Sequence, residues 1–550
     1  MSNVAERLVR LAQTQPDQLA VVQPLGYRNG KRQYSTMTFR ELNEDSDRIA
    51  YGLRQHGIEK GARLALLVRP GIDFVSSVFG LLKSGAVMIL IDPGMGRNHL
   101  LKCLEDAQPE GFVAISPVQA VWRFLRKRFP KAHFSLTVGH RWFWGGPTLK
   151  SLRKMPYPGT FLENVSPDDP AAIIFTTGST GPPKGVLYQH RTFNTQVEEI
   201  SRQYGIAPGQ IDLPGFPMFG LFNCAMGSTA VLPDMDASRP AAVNPENILE
   251  AVRDWKVSQS FGSPAIWKAV GEWCVARNET LPEIRMILSA GAPVPVPVLK
   301  TIQKIIHPEG EIHTPYGATE ALPVATIAAS EILSETAEKT CQGAGVCVGR
   351  KFPSISWKVI RITDEPLPEW SQIEELPPGE IGELIVTGPQ ITREYVTHRE
   401  VNALAKVAEN LPDGTLRIWH RMGDVGYLDK QERFWFCGRK AHRVETERET
   451  LFTIPVEAIF NNHPAVSRSA LVGISQQGKT VPVMIVELEK TVPATENLRR
   501  ELLAWGKANS LTCSIEKLLF HPSFPVDIRH NAKIFREKLS LWAEDEMKKS

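Results

Sequence analysis

Residues 171–190, AAIIFTTGSTGPPKGVLYQH, constrain the chain most, because they join a short apolar run to a long loop of glycines and hydroxyls. The run from Ala171 to Phe175 predicts a buried strand. Glycines in the following loop permit close approach of the backbone and let successive N–H groups point inward. Serine and threonine hydroxyls donate to phosphate oxygens, and the ammonium of Lys184 adds positive charge. The segment therefore predicts a loop that wraps a polyanion.

This loop is not a Walker A phosphate loop, which requires Gly-Lys-Ser/Thr, because Lys184 lies between Pro183 and Gly185. A glycine-rich surface turn is the alternative interpretation. The loop closely resembles the signature T-[ST]-G-[ST]-T-G-x-P-K-G of the ANL superfamily of adenylate-forming enzymes. The resemblance implies that the phosphates of ATP are bound by Thr176, Thr177, Gly178, Ser179, Thr180, Gly181 and Lys184.

Two later segments resemble the superfamily motifs that surround adenine. The first, SAGAP at 289–293, follows an apolar run that predicts a strand, and the second, TPYGATE, occupies 314–320. Small residues let a flat purine lie against the backbone, and an aromatic ring supplies a stacking face. On its own, Tyr316 would be interpreted as a core aromatic, but the order of the motifs favours stacking on adenine. The resemblance implies a nucleotide pocket formed by Gly291, Ala292, Pro293, Pro315, Tyr316 and Gly317.

The end of the second motif carries predicted catalytic and metal-binding side chains. By resemblance, Thr319 contacts phosphate and Glu320 helps to hold Mg²⁺, with Thr176 as a further metal ligand. A carboxylate is a hard oxygen ligand of the kind that Mg²⁺ prefers. The cofactors that the resemblance implies are therefore ATP and Mg²⁺.

Three motifs in the second half of the chain supply the remaining predicted site residues. Asp424, in HRMGDVGY, is expected to accept hydrogen bonds from ribose hydroxyls, although Met422 replaces the usual threonine. Arg439, in a Gly-Arg pair, is expected to contact ribose or phosphate. Lys533, in FPVDIRHNAKI, is the expected catalytic cation, bridging the substrate carboxylate and the α-phosphate. Outside such a motif, a lysine near the end of a chain would be interpreted as solvated.

The resemblance covers nearly the whole chain and implies the α/β fold of ANL adenylating enzymes. It places a large N-terminal AMP-binding α/β domain at 1–440 and a small mobile C-terminal α/β lid domain at 441–550, with the site between them. Local patterns agree with an α/β fold. Thr38 precedes Glu41 at capping-box spacing, which predicts a helix to Gln55. Alternating strand and helix patterns predict parallel sheets.

Composition and charge exclude several other classes of protein. The formal net charge of +3 predicts no strongly electrostatic partner, so nucleic-acid binding is not expected. No apolar run is long enough for a transmembrane segment, and the first residues lack the apolar core of a signal peptide. The 7 cysteines form no CxxC pair, which favours neither a zinc site nor a disulfide scaffold. A reducing, cytoplasmic compartment is expected.

Basic and aromatic residues are mixed in two clusters, WRFLRKRF at 122–129 and RWFW at 141–144. One interpretation is a surface that meets a membrane, a lipid substrate or a partner protein. The other interpretation, which we favour at this stage, is a helix with a solvated basic face followed by an aromatic strand that packs inward.

Within the superfamily, the combined motifs look most like the olefin β-lactone synthetases of bacterial long-chain hydrocarbon synthesis. The resemblance implies adenylation of a long-chain 2-alkyl-3-hydroxy acid, followed by attack of the substrate's own hydroxyl to close a β-lactone and release AMP. The charged segment 445–449 replaces the glycine-rich lid loop usual in acyl-CoA synthetases, and Gly220 stands where many members have a histidine. His190 and His420 are candidates for the base, with packing as the alternative role for each.

Two alternatives remain open. A long-chain fatty acyl-CoA ligase or acyl-AMP ligase would activate a fatty acid substrate and use a different acceptor. A non-catalytic ATP-binding scaffold protein is the alternative from another class, and five retained motif residues argue against it: Lys184, Glu320, Asp424, Arg439 and Lys533. By the same resemblance, other enzymes of an olefin-synthesis complex are the expected protein partners.

The role implied for Lys533 is directly testable. We expect Lys533→Ala to lower the rate of adenylate formation by several powers of ten, because one positioned electrostatic donor accounts for about 10²–10³ in rate by itself. ATP–pyrophosphate exchange measures this half-reaction. Normal exchange by the variant would contradict the assignment.

Overall fold

The computed structural model describes residues 1–176, 182–526 and 534–549. Within these ranges the strands, numbered along the chain, begin with β1 (Leu19–Arg28), β2 (Lys31–Thr38), β3 (Arg63–Leu67), β4 (Val87–Leu90), β5 (Gly111–Ile115), β6 (Phe134–Val138), β7 (Pro170–Phe175) and β8 (Gly185–Gln189). They continue with β9 (Ile211–Pro214), β10 (Thr229–Val231), β11 (Gln259–Gly262), β12 (Met286–Ser289), β13 (Glu311–Ala318), β14 (Ala321–Ala328), β15 (Val346–Cys347), β16 (Arg350–Lys351) and β17 (Ser356–Ile360). The remaining strands are β18 (Gly382–Thr387), β19 (Lys406–Asn410), β20 (Leu416–Leu428), β21 (Phe434–Arg439), β22 (Val444–Glu445), β23 (Thr450–Leu451), β24 (Val466–Gln476), β25 (Lys479–Leu488) and β26 (Lys517–Phe520).

The α-helices are numbered in the same way. The first group is α1 (Glu6–Thr14), α2 (Phe39–Gln55), α3 (Ile72–Ser84), α4 (Arg97–Ala107), α5 (Ser116–Phe124), α6 (Leu149–Arg153), α7 (His190–Tyr204), α8 (Pro217–Met226) and α9 (Pro245–Trp255). The second group is α10 (Pro264–Arg277), α11 (Val296–Ile305), α12 (Ala329–Glu331), α13 (Ala337–Cys341), α14 (Asn402–Ala405), α15 (Thr453–Asn461), α16 (Glu496–Lys507) and α17 (Arg536–Lys549). None of the helices in the described ranges is both long and apolar enough to cross a membrane.

Two large sheets are mainly parallel. One has the strand order β16-β14-β13-β12-β11-β9-β10-β1-β2 and is parallel from β13 through β1. The other has the order β6-β5-β3-β4-β7-β8 and is parallel from β6 through β7. Parallel strands need crossover connections, and helices such as α3, α10 and α11 provide them. The predicted α/β class and parallel sheets are confirmed.

Two further sheets lie towards the C-terminal end of the chain. An antiparallel sheet has the order β15-β21-β20-β18-β17, with β19 paired to β20. Beyond it, β24, β25 and β26 form a small separate sheet. Apolar side chains from this sheet pack with Phe460 of α15 and Leu502 of α16 in one buried cluster. The C-terminal α/β unit therefore has a core of its own.

The predicted helix after Thr38 is confirmed, together with its cap. The Thr38 hydroxyl accepts the Glu41 N–H at 3.2 Å, and the Glu41 carboxylate accepts the Thr38 N–H at 2.8 Å. This reciprocal cap satisfies two N–H groups that have no partner within the helix. Close packing of α2 on α3 then depends on Gly80, where an added Cβ would lie only 2.5 Å from Ile49 Cγ2.

The basic and aromatic clusters differ from the interpretation we favoured. The first cluster does contain a helix, α5, with Trp122 buried and the basic residues 126–128 exposed. The second cluster is a loop after β6 and not a strand that packs inward. Of its aromatic residues only Trp144 is buried, whereas Trp142 and Phe143 are exposed. The sequence pattern does not show which aromatic residues are buried, because a loop can be anchored by only one buried tryptophan.

A buried charged network fixes the central antiparallel sheet just before the small C-terminal unit. The Arg421 guanidinium donates to the Glu383 carboxylate at 2.6 Å, and the Lys440 ammonium contacts the same carboxylate at 3.1 Å. Arg421 and Lys440 also donate to the carbonyl of Thr363, at 2.5 and 2.9 Å. Burial lowers the pKa of Lys440, while the Glu383 carboxylate favours its charged form. One carboxylate thus stabilises two buried cations.

We expect Glu383→Gln to destabilise the protein by about 3–5 kcal/mol, because it leaves buried charges without their counter-ion. Urea titration followed by tryptophan fluorescence measures the loss. Glu375→Gln is the matched control, because Glu375 pairs with Lys358 on the same sheet but is 53% exposed. The control should cost less than about 1 kcal/mol. Equal costs for the two variants would show that the Glu383 network does not stabilise the sheet.

Candidate active site

The described parts of the signature segment join two antiparallel strands. The predicted strand is confirmed as β7, and β8 follows the loop. At the base of the loop, the Thr176 N–H donates to the Lys184 carbonyl at 3.0 Å, and the Lys184 N–H donates to the Thr176 hydroxyl at 3.3 Å. The residues from Thr177 to Gly181 lie outside the described residues, so this base is the part of the predicted phosphate loop that can be placed.

The TPYGATE segment forms the tip of a β-hairpin. Pro315, Tyr316 and Gly317 lie on β13, and Thr319 and Glu320 form the turn into β14. Only glycine fits at position 317, because an added Cβ would lie 2.6 Å from the carbonyl oxygen of Ala321. Tight packing therefore explains one glycine of the motif without any ligand.

Tyr316, Asp424 and Arg439 come together across two sheets. The Tyr316 hydroxyl donates to Asp424 Oδ2, and Arg439 Nη1 lies 2.9 Å from Asp424 Oδ1. Asp424 and Arg439 are directly paired residues of β20 and β21. Gly423, at a φ of +65°, lies where the pairing of β20 with β18 is irregular. Burial and the Asp424 carboxylate raise the pKa of Tyr316 well above its usual value, so the phenol stays protonated.

Glu320 lies in a second polar cluster with residues that the sequence analysis did not identify. The Tyr395 hydroxyl donates to Glu320 Oε1 at 2.6 Å. Lys184 Nζ lies 5.4 Å from the centre of the Tyr395 ring, within the range of a cation–π contact. A backbone bridge between Tyr395 and Val186 of β8 fixes this arrangement. Burial and the Glu320 carboxylate raise the pKa of Tyr395, which keeps its hydroxyl a donor.

Lys406 and His420 complete this cluster and are paired residues on β19 and β20. Lys406 Nζ donates to the Thr392 carbonyl at 2.5 Å and lies 5.7 Å from the Tyr395 ring centre. Burial lowers the pKa of Lys406 to about 7. His420 Nδ1 lies 3.1 Å from the Ala405 carbonyl, so Nδ1 carries the proton and Nε2 has the lone pair.

The pKa of His420 is far below its usual value, first because the ring is buried and then because cations surround it. Those cations are Lys406, Lys184 and Arg439. The imidazole is therefore neutral at physiological pH, with an unprotonated Nε2. The other histidine candidate, His190, instead accepts the Val4 N–H at 3.3 Å and packs against the N-terminal segment. His420 thus lies in the same cluster as Lys406 and Tyr395, whereas His190 contacts the N-terminal segment.

The predicted adenine turn lies beside the hairpin. Gly291, Ala292 and Pro293 follow β12, which is the parallel neighbour of β13. Gly291 adopts a φ of +97°, a conformation that favours glycine. The carboxyl ends of adjacent parallel strands are where open α/β sheets bind ligands. The turn and Tyr316 are thus presented from the same edge of the sheet.

A small cavity lies deeper between the same sheet and helices α7 and α8. It encloses about 10 Å³, enough for one water, and its wall is mostly apolar. The apolar wall residues are Ile200, Ile206, Met226, Phe261, Met286 and Leu288. Its polar wall contains Asp212, which accepts a hydrogen bond from Asn223 at 2.5 Å, and Gln259. Burial raises the pKa of Asp212 to about 7.

The structure therefore assembles six of the twelve predicted residues that it describes, in two clusters. One contains Tyr316, Asp424 and Arg439, and the other contains Glu320, Lys184 and, through its backbone, Thr176. Thr319 contributes its carbonyl oxygen, which accepts the Tyr188 hydroxyl at 2.6 Å. The predicted catalytic Lys533 lies outside the described residues.

Sequence reasoning missed Tyr395 and Lys406. Tyr395 belongs to the irregular segment between β18 and β19, where no periodic pattern marks a face, and Lys406 is the first residue of β19. A lysine between Ala405 and Val407 was the one signal available, because a charge inside an apolar stretch needs a partner.

Comparison with known proteins identifies the family. The family described as AMP-binding enzyme matches residues 8–396. The olefin beta-lactone synthetase of Stenotrophomonas maltophilia is 44% identical over 551 residues, covering 100% of this chain and 99% of the relative. The olefin beta-lactone synthetase of Xanthomonas campestris is 45% identical over 548 residues, covering 99% of this chain and 98% of the relative.

Solved structures agree on the fold. The o-succinylbenzoate coenzyme A synthetase of Bacillus subtilis, solved in complex with ATP and magnesium ion, superposes with a TM-score of 0.73 at 22% sequence identity. The match covers 98% of this chain and 99% of that structure. The predicted ANL fold, with a large N-terminal domain and a C-terminal sheet domain, is confirmed. The chain belongs to the AMP-binding enzyme family of adenylate-forming ANL proteins, and the olefin beta-lactone synthetases are relatives that align with its whole length.

Proposed function

We propose that this enzyme adenylates a long-chain 2-alkyl-3-hydroxy acid with ATP and then closes the acyl-adenylate to a β-lactone, releasing AMP after pyrophosphate. The observation that carries the proposal is the pair of polar clusters around the β13–β14 hairpin, in a chain whose relatives named for this activity align end to end. A non-catalytic scaffold would not need two charged clusters around one hairpin.

The first cluster supports binding of the nucleoside. Asp424 already accepts from Tyr316 and is ion-paired with Arg439, but a carboxylate has about four acceptor positions and could also receive ribose hydroxyls. The turn from Gly291 to Pro293 supplies a flat backbone surface, and adenine would lie between this surface and the Tyr316 ring. Arg439 would contact ribose or the α-phosphate.

The second cluster has the right chemistry for phosphates and Mg²⁺. Tyr395 occupies Glu320 Oε1, so Oε2 is the oxygen that would bind the metal, with the Thr176 hydroxyl as a further ligand. Mg²⁺ commonly takes one or two protein oxygens together with phosphates and waters, and these residues fit that pattern. When bound, Mg²⁺ would neutralise negative charge on the phosphates. Lys184 and Lys406 would add positive charge on the same side.

The first half-reaction joins the substrate carboxylate to the α-phosphate of ATP and expels pyrophosphate. Such a transfer needs positioning and charge neutralisation more than covalent help from the protein. Lys533 would bridge the carboxylate and the α-phosphate. We infer that the C-terminal unit from residue 441 acts as a mobile lid that delivers this lysine and excludes water. The anchored network around Lys440 would hold the chain immediately before the hinge.

The second half-reaction is intramolecular. The 3-hydroxyl oxygen attacks the carbonyl carbon of the acyl-adenylate, the bond from that carbon to the phosphate oxygen breaks, and AMP leaves. Proximity makes this attack fast, because nucleophile and electrophile belong to one molecule. We assign the hydroxyl proton to Nε2 of His420, whose Nδ1–H is held by the Ala405 carbonyl.

The lid loop supports a reaction without coenzyme A. Residues 445–449 close as a hairpin turn between β22 and β23, in which the Thr446 hydroxyl donates to the Glu449 carbonyl at 2.8 Å. Glu447 pairs with Lys479 of the C-terminal sheet at 2.8 Å. Glu445 is likewise paired with Arg443, and the turn has none of the glycines of the loop that is usual in acyl-CoA synthetases. A long-chain acyl-CoA or acyl-AMP ligase is therefore the second candidate.

A product assay tests the proposal. The protein is given ATP, Mg²⁺ and a long-chain 2-alkyl-3-hydroxy acid, with and without coenzyme A, and the products are identified by mass and NMR. We expect a product lighter than the acid by one water, formed equally in both reactions. A product that requires coenzyme A and carries its mass would contradict lactone formation and favour the ligase.

The proton acceptor is tested by separating the two half-reactions. We expect His420→Asn to keep ATP–pyrophosphate exchange near the wild-type rate, because the asparagine amide can replace Nδ1–H as the donor to Ala405. The same variant has no basic nitrogen at the position of Nε2, so lactone formation should fall by about 10²–10⁴.

The matched variant His190→Asn removes the other candidate histidine and should leave the ratio of the two half-reactions unchanged. Equal loss of exchange and lactone formation in His420→Asn would assign a structural role to His420. Unchanged lactone formation would exclude it as the proton acceptor.

A further inference from the structure

An exposed aromatic patch lies at the edge of the six-stranded parallel sheet, beside β6. We define it by Phe124 at the end of α5 and by Trp142 and Phe143 in the loop after β6. These side chains are 80%, 55% and 69% exposed, and the Phe124 and Phe143 rings lie 6.4 Å apart. Val121, one turn earlier on α5, is 55% exposed. Contiguous large apolar side chains of this kind mark an interaction site more often than scattered ones.

The loop presents its aromatic side chains because its base is fixed. Trp144 is buried and donates from Nε1 to the Thr137 hydroxyl of β6 at 2.9 Å. Arg141 Nη1 donates to the Gly146 carbonyl at 2.6 Å, which closes the loop. The buried Trp144 ring lies 5.5 Å from the Trp142 ring and 5.0 Å from the Phe143 ring. The exposed rings are therefore held at the surface by the fixed base of the loop.

The charge around the patch is strongly positive. Residues 111–162 contain no aspartate or glutamate and 9 lysines and arginines, a net charge of +9, although the whole chain carries only +3. The rest of the chain therefore has a net charge of −6. Five of the basic residues close to the patch are exposed: Arg126, Lys127, Arg128, Lys131 and Arg141. Of these, Arg128 is paired with an acid, Glu105.

We propose that this aromatic patch and its basic rim form a surface that docks the enzyme on an anionic lipid bilayer. Tryptophan and phenylalanine insert at the level of the headgroups, while lysine and arginine remain above them and attract anionic lipids. The combination of exposed rings with a basic rim, in which Arg128 is paired with Glu105, fits this occupant, because anionic headgroups would supply negative charge to the other rim cations. No membrane-spanning segment is required for such peripheral binding.

Vesicle sedimentation tests the proposal without any enzymatic turnover. The full chain is mixed with vesicles of phosphatidylcholine alone, or of equal parts phosphatidylcholine and phosphatidylglycerol, and bound protein is measured in the pellet. We expect binding to the anionic vesicles only, weakening as salt rises because salt screens exposed charges. The double variant Arg126→Glu/Lys127→Glu should lower the partition coefficient by at least about 30-fold, since each basic residue contributes about fivefold.

The aromatic contribution needs its own variant. Phe124→Ser/Phe143→Ser should lower partitioning by about tenfold or more, because it removes two apolar anchors. Leu541→Ser is the matched control, because Leu541 is 65% exposed but lies on α17, away from the patch, and it should bind as wild type does. All variants replace exposed side chains, so their folding is checked by unchanged circular dichroism.

Two results would overturn the proposal. Wild-type protein that stays in the supernatant with both kinds of vesicle would leave a protein partner as the occupant of the patch. Equal binding by wild type and both double variants would place any membrane contact elsewhere on the surface. Because neither readout involves catalysis, these failures are distinct from a failure of the proposed reaction.

Discussion

The site depends on one hairpin tip that is hydrogen-bonded to two other sheets and to the segment before β19. From β13 of the nine-stranded sheet, Tyr316 donates to Asp424 of the antiparallel sheet. At the turn, the Thr319 carbonyl accepts the hydroxyl of Tyr188 from β8 of the six-stranded parallel sheet. Tyr395 then donates to Glu320 from the segment before β19. Three tyrosine hydroxyls thus fix the position of residues 316–320.

These bonds pair neutral donors with carboxylate and carbonyl acceptors inside a partly buried region. A hydrogen bond to a charged acceptor is about twice as strong as one between neutral groups. A carboxylate has about four acceptor positions, so a side chain that holds the hairpin could also bind a ligand. Burial raises the pKa of Tyr316 and of Tyr395 and so keeps both hydroxyls protonated. In the proposed reaction, the atoms that support the hairpin would also bind the nucleotide.

The sequence predicted the parts of this site that follow local rules. The apolar run before the signature loop is β7, and the small residues after β12 form a turn. Contacts between distant strands could not be predicted in this way. The pairing of Asp424 with Arg439 depends on strand register, and register is not readable from either strand alone. Tyr395 reaches Glu320 only because its backbone pairs with Val186.

Local composition also failed at the aromatic loop, for a related reason. The pattern in RWFW contains three large aromatic residues, and a strand that packs inward was the interpretation we favoured. The structure instead anchors a loop through one of them, Trp144, which donates to the Thr137 hydroxyl on an edge strand. The fold around a loop decides which of its side chains is buried. The two exposed rings are thus consequences of long-range structure that no local pattern encodes.

The central claim is that the substrate carboxylate is adenylated and the substrate hydroxyl then displaces AMP. The most direct measurement uses a 3-hydroxy acid whose carboxylate oxygens are both ¹⁸O, with mass analysis of AMP and lactone. The account predicts one labelled oxygen in AMP and one in the lactone carbonyl. Unlabelled AMP together with a lactone that retains both labelled oxygens would show that the hydroxyl, and not the carboxylate, is activated, and would contradict the account.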